Sequence, residues 1–135
     1  MGTMIFPNLP VKDLEAAKKF YTALGYQVNE QFSDENAASI VINDHIVIML
    51  LKHEFFNTFD DRKIADPATT VESVHALGVE SREQVDELVN AAVAAGGKEA
   101  GEANDEGFMY GRSFHDLDGH HWEVMYMDMS AMPQE

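Results

Sequence analysis

The chain has no cysteine among its 135 residues. That removes disulfides, thiolate metal sites and cysteine nucleophiles together, and it accords with a reducing compartment. Positive charge is scarce as well. Nine Lys and Arg stand against 24 Asp and Glu, a formal net charge of −15 with a pI near 4.5. Nucleic acids and anionic membranes need basic patches, so neither is an expected partner. The acidic balance favours solubility and would attract a cationic ligand weakly. No apolar run reaches membrane length, and no charged stretch followed by an apolar one opens the chain. Phe6 stands where a myristoylation motif starting at Gly2 needs Ser or Thr. The expectation is a soluble, cytoplasmic protein. Three catalytic signatures are missing too: a Ser/His/Asp ordering, a phosphate-cradling glycine loop and a paired-carboxylate motif. Gly96 and Gly97 read as a helix stop.

What is present suffices for one domain with a real core, since 45% of the residues are hydrophobic. Residues 4–11 are apolar but contain Pro7 and Pro10, which confines them to an edge or irregular strand. Asp13 reads as an N-cap. Leu14, Ala17, Phe20, Tyr21 and Leu24 follow at helical spacing, and Gly25 ends the pattern. Strands are predicted over 26–33, 36–42 and 45–51, the last two split at Asn43 and Asp44. Residues 52–70 break the rhythm and read as a linker with a couple of helical turns. Its Phe55, Phe56 and Phe59 either pack on the core or line a ligand mouth or partner surface. A strand over 71–80 leads to Ser81 and Gln84, a capping box, and then to the stripe Val85, Leu88, Val89 and Ala92. A short strand near 98–103 and a polar loop at 104–107 precede a closing hairpin, 108–115 and 120–128. The tail from Met129 reads as loose.

The hairpin turn is built by Asp116, Asp118 and Gly119. Beyond it, alternation puts His121, Glu123 and Met125 on one face and Trp122, Val124 and Tyr126 on the other. Glu123 is an acidic residue between apolar neighbours. A lone buried carboxylate is costly, so this is where a functional site is sought first.

The chain also repeats itself. Leu9, Pro10, Val11, Lys12 and Asp13 match Leu77, Gly78, Val79, Glu80 and Ser81 at an offset of 68. Both pentads end a strand and enter a capped helix, and each half then reads strand, helix, strand, strand, strand. The expected fold is therefore α+β, two tandem βαβββ modules. Module one covers about 4–51, the linker 52–69 and module two about 70–128, within a single domain over 1–135.

These features resemble the vicinal-oxygen-chelate superfamily, which includes glyoxalase I, extradiol dioxygenases, fosfomycin-resistance enzymes and bleomycin-binding proteins. The matching residues are Leu9, Pro10, Val11, Lys12, Asp13 and Leu14 running into a helix that ends Phe20, Tyr21, Leu24, Gly25. The closing match is Phe114, Asp116, Asp118, Gly119, Trp122 and Glu123. The resemblance implies that paired modules form a U-shaped cleft that holds the ligand or metal. It also implies that metal-dependent members draw one inward residue from the first strand and one from the last strand of each module. In glyoxalase-like members these are two His or Gln and two Glu. Counting back five from Val11 and from Val79 gives Phe6 and Val74, and matching the last strands gives Met49 and Glu123. One carboxylate among four does not hold a hard divalent metal, and a thioether suits softer ions.

The expectation is therefore no cofactor and a small organic molecule bound among Phe6, Met49, Val74, Arg112, His121 and Glu123, in a protein that forms a homodimer. In the competing reading the chain is an enzyme, with Glu123 raised by burial to act as general base, or with His121 and Glu123 sharing a divalent metal. Some placements stay open. A one-residue slip would bring His75 inward in place of Val74. Arg112 points either inward, to pair Glu123 or an anionic ligand, or outward to solvent. His120 and His121 read alternatively as surface residues of the hairpin, and His115 and His120 are expected to face each other across the turn.

Overall fold

The computed structural model describes residues 2–131. It divides into two compact units, 1–65 and 66–135. In the first, the order is β1 (Asn8–Val11), α1 (Leu14–Ala23), β2 (Gln27–Asn29), β3 (Ala37–Asn43), β4 (Ile46–Lys52) and a one-turn helix α2 (His53–Phe56). Its sheet runs β1-β4-β3-β2, with β1 parallel to β4 and the other pairs antiparallel. In the second the order is β5 (Val74–Gly78), α3 (Arg82–Ala94), β6 (Lys98–Glu99), β7 (Asn104–Asp105), β8 (Met109–His115) and β9 (His121–Met127). Here β5-β9-β8-β6 form the sheet, β7 also pairs β8, and β5 is parallel to β9. The second strand of this unit is thus two short pieces on one edge, and each unit is a βαβββ module.

The helices begin where the caps direct them. The Asp13 carboxylate accepts the Ala16 N–H at 3.1 Å, and the Ser81 hydroxyl accepts the Gln84 N–H at 3.1 Å. The Gln84 side chain returns to the Glu80 N–H, one residue before the position a capping box uses. Each helix lays its apolar stripe on one face of its sheet. Leu14, Ala17, Phe20 and Tyr21 are buried with Ile40, Ile48 and Leu50; Val85, Leu88, Val89 and Ala92 are buried with Phe114, Trp122 and Val124. Burial of this kind is the main driving term for folding.

Several elements are shorter than the residue pattern predicts. Pairing of β1 starts only at Asn8, although the Pro7 carbonyl already accepts the Met49 N–H at 2.8 Å. Proline has no N–H to extend the ladder. The strand predicted over 26–33 stops at Asn29, whose side chain accepts the Gln31 N–H and starts a 3-10 turn, Glu30–Phe32. The predicted polar loop at 104–107 contains β7. Residues 129–131 form a further 3-10 turn, and the remainder of the predicted loose tail lies outside the described residues. No helix among the described residues is long and apolar enough to cross a membrane.

The repeat is visible in the register. The 68-residue offset carries Asn8 onto Ala76; Asn8 is the neighbour of Met49 and Ala76 the neighbour of Glu123. The two parallel pairs therefore place Met49 and Glu123 at equivalent points of their units.

Gly119 tests the hairpin turn. It has φ +105°, and a Cβ there would stand 2.8 Å from the Pro67 carbonyl and the Ala68 nitrogen. Gly25 has φ +102° with open space around it. Gly119→Ala should lower unfolding stability by more than the roughly 1–3 kcal/mol of backbone strain alone, and Gly25→Ala by about that strain. Urea midpoints at unchanged m-value measure both. Equal losses in the two variants would show that the Pro67 contact yields freely.

Candidate functional site

The turn before β9 sets the site. Asp116 is buried, and its Oδ1 accepts the N–H groups of Asp118 (3.0 Å), Gly119 (3.0 Å) and His120 (2.9 Å). Its Oδ2 lies 2.8 Å from His120 Nδ1. This carboxylate holds the turn and thereby the register His115↔His121, Ser113↔Glu123 and Gly111↔Met125. Strand alternation then sorts side chains. Phe114, Trp122 and Val124 go to the face covered by α3, while Ser113, His115, His121, Glu123 and Met125 go to the other. On that second face β5 contributes Val74, beside His121, and Ala76, beside Glu123. Both are exposed.

Four of these side chains form a connected chain. The Ser113 hydroxyl donates to Glu123 Oε2 at 2.6 Å, and the same oxygen pairs with His121 Nε2. The other nitrogen of His121, Nδ1, faces His115 Nε2 at 3.0 Å. The side chains of His121 and Glu123 are 24% and 36% exposed, so the group is reachable from solvent. Burial pushes the Glu123 carboxyl upward, but the bonds from Ser113 and His121 outweigh it and hold the group below its ordinary value. This corrects the expectation that burial raises Glu123 towards a general base. The two donors favour the ionised form, and a carboxylate so held is a weak base.

The structure brings together Glu123, His121 and Val74 of the predicted set and adds Ser113 and His115, which the residue pattern did not single out. Phe6 and Met49 lie in the first unit. Met49 sits on β4 between Asn8 and Ser39, and Phe6 precedes β1 with its carbonyl accepting the Asn8 side chain at 2.6 Å.

Arg112 is not part of the group. It lies on the α3 side of the sheet, where it meets Glu99 through two 2.9 Å bonds, Asp86 at 2.9 Å and Asn90 at 3.1 Å. The 2.6 Å bond from Tyr110, and then Arg112, hold the Asp86 carboxyl below its ordinary value, and Arg112 does the same for Glu99. The inward placement of Arg112 beside Glu123 is therefore corrected. The signal was available, because Arg112 shares parity with the core residue Phe114. The expected His115–His120 pairing is corrected too: the turn leaves His115 opposite His121, while His120 is drawn to Asp116 on the buried side. His75 also faces that side, with its ring 5.1 Å from Trp122, so the one-residue slip does not occur.

Among the described residues, Asp116, Asp118 and His120 are close enough to reach one metal ion. Asp116 is already engaged by three N–H groups and by His120, and an ion would have to displace the imidazole. The cluster is accounted for as a turn lock.

The bleomycin resistance protein-like N-terminal family matches residues 3–43. A hypothetical protein of S. aureus is 32% identical, with 93% of this chain and 94% of that one covered at a TM-score of 0.79. A glyoxalase/bleomycin resistance protein/dioxygenase family enzyme from Burkholderia phytofirmans is 18% identical over 90% of this chain and 96% of that one, TM-score 0.77. A glyoxalase-related enzyme from Fulvimarina pelagi is 21% identical over 93% and 88%, TM-score 0.78. No curated protein matches the sequence. The two-module α+β fold and these matches define a class, the glyoxalase/bleomycin-resistance/dioxygenase fold. The chain shares that fold, and its residues 3–43 match the bleomycin resistance protein-like N-terminal family.

His75 generates a pH prediction. Its Nδ1 and the Nε2 of His120 are buried without a hydrogen-bond partner. Burial, and then His120, lower His75 from the ordinary value of 6.5, while Asp116 opposes them. The unfolded chain takes up this proton more readily than the folded one. The stability concerned is therefore complete above about pH 6.5 and is lost as pH falls below it. Urea midpoints from pH 7 to pH 5 should fall in the native protein and fall less in His75→Phe. Parallel slopes would remove His75 as a source.

Proposed function

We propose that this chain binds a small organic molecule and that the four positions used for metal in its superfamily hold none here. The carrying observation is what stands at those positions. Phe6, Met49 and Val74 offer no oxygen or nitrogen donor. The carboxylate of Glu123 is engaged by Ser113 and His121. One carboxylate does not satisfy a hard divalent ion, and the residues do not fit the family's metal. Val74, exposed on the strand beside His121 and Glu123, sets an apolar side chain next to a single oriented charge, a surface suited to an organic ligand. Glu123 would meet a donor or cationic group on that ligand, and the net charge of −15 favours a cation over an anion. Structural neighbours named for bleomycin resistance lend the reading support by fold alone. The protein is read as cytoplasmic and homodimeric, with the segment holding Phe55, Phe56 and Phe59 covering the partner; light scattering tests the assembly.

One observation favours a second reading, an enzyme of the same superfamily. Glu123, His121 and His115 form a continuous hydrogen-bonded line, and such a line can move a proton through the imidazoles.

A thermal-shift screen of amphiphilic organic cations against tag-free protein separates the readings. A ligand present at about 100 times its Kd should stabilise the fold by about 2.7 kcal/mol. Val74→Asp should weaken it about tenfold or more, in line with roughly 1–3 kcal/mol for a lost apolar contact. Glu123→Gln, which removes the charge that meets the cationic group, should weaken affinity as well. Affinity indifferent to Val74 would sink the binding proposal. Turnover of a hit, abolished in Glu123→Gln, would put the enzyme first.

A further inference from the structure

His115 and His121 are direct cross-strand partners on β8 and β9, and their rings meet edge to face. The ligand-binding proposal makes no use of this pair. His115 Nε2 and His121 Nδ1 point at each other across 3.0 Å. Glu123 takes the opposite nitrogen of His121, Nε2. A carboxylate there keeps the hydrogen on Nε2 and leaves Nδ1 as a lone pair aimed at His115. Among the described residues His115 has no other hydrogen-bond partner, so its proton can move to Nδ1 and free Nε2 as well. Two imidazole lone pairs then face the same small space, and a modest turn of each ring aims both at one ion. An ion about 2.05 Å from each nitrogen spans roughly 2.9 Å at a right angle and roughly 3.4 Å at a tetrahedral angle. The observed separation falls in that range without any movement of the strands.

We propose that His115 Nε2 and His121 Nδ1 bind one borderline divalent transition-metal ion of the Cu²⁺, Ni²⁺, Zn²⁺ group. Imidazole suits these ions, whereas Mg²⁺ and Ca²⁺ prefer all-oxygen sites. Glu123 acts from outside the coordination sphere and orients the His121 ring, the usual role of a carboxylate behind a metal-bound histidine. The site shares no ligand with the four positions Phe6, Met49, Val74 and Glu123, so it stands whether or not an organic molecule binds there. Two protein donors leave the remaining coordination positions to water or to an oxygen or nitrogen donor from solution. The acidic surface raises the local concentration of any cation, but its carboxylates do not distinguish copper from magnesium in the way a pair of imidazoles does.

The test is titration of tag-free, metal-stripped protein with Cu²⁺, Ni²⁺, Zn²⁺ and Mg²⁺ by calorimetry. Electron paramagnetic resonance of the copper form and histidine ring signals by nuclear magnetic resonance complete it. One equivalent should bind, Cu²⁺ most tightly, with millimolar Mg²⁺ failing to compete. His115→Asn and His121→Asn should each remove this site. Glu123→Gln should weaken it about 10–100-fold while keeping one equivalent. In the native protein nickel should broaden the ring signals of His115 and His121 before those of His45 and His53, a readout that needs no variant to fold. Equal affinity in His115→Asn, an absence of binding, or equal broadening of all histidines would overturn the proposal. Loss of the ion in Glu123→Ala with retention in His115→Asn would place it on the family's carboxylate instead, and would also overturn the metal-free proposal above.

Discussion

Each sheet in this protein has one helix to cover it, and one helix covers one face. Because side chains alternate along a strand, every strand residue is committed either to the helix side or to the opposite face. Ile48 and Leu50 go to the core while Met49 between them does not; Trp122 and Val124 go to the core while Glu123 does not. The candidate site is the residue set that this alternation leaves over.

Alternation alone does not say which residues meet across strands. That depends on the turn, and the turn depends on Asp116. A buried carboxylate is tolerated here because three N–H groups and an imidazole surround it. A slip of one residue would exchange the two faces of β9, exposing Trp122 and burying Glu123. Gly119, with its positive φ and its close approach to Pro67, lets the chain make that turn against the preceding segment. The register of His115 with His121 and of Ser113 with Glu123 is thus a consequence of one side chain outside the site.

The two modules show what duplication keeps and what it releases. Both keep the capped helix, the parallel pairing of first and last strands, and the equivalent placement of Met49 and Glu123. The opposite faces have diverged. Module one presents Met49 beside Asn8 and Ser39, module two a carboxylate wired to a serine and two histidines. The helix-covered face carries the apolar stripe of each module, and the opposite face is where their chemistry differs.

Much of this was legible in the residues themselves. Helix caps, helix stops, the apolar stripes, the 68-residue repeat and the sharing of one face by His121 and Glu123 all follow from short-range spacing, where one residue's chemistry acts on neighbours within a turn or a strand. The fold was legible for the same reason, since the motifs that carry it are those caps and turns. Only the tertiary structure decided who faces whom across strands. It put Arg112 with Asp86 and Glu99, sent His120 to Asp116 and His115 to His121, and gave Glu123 two donors that lower rather than raise its carboxyl. Those outcomes depend on cross-strand register and side-chain reach between residues far apart in the chain, and local spacing carries no information about either.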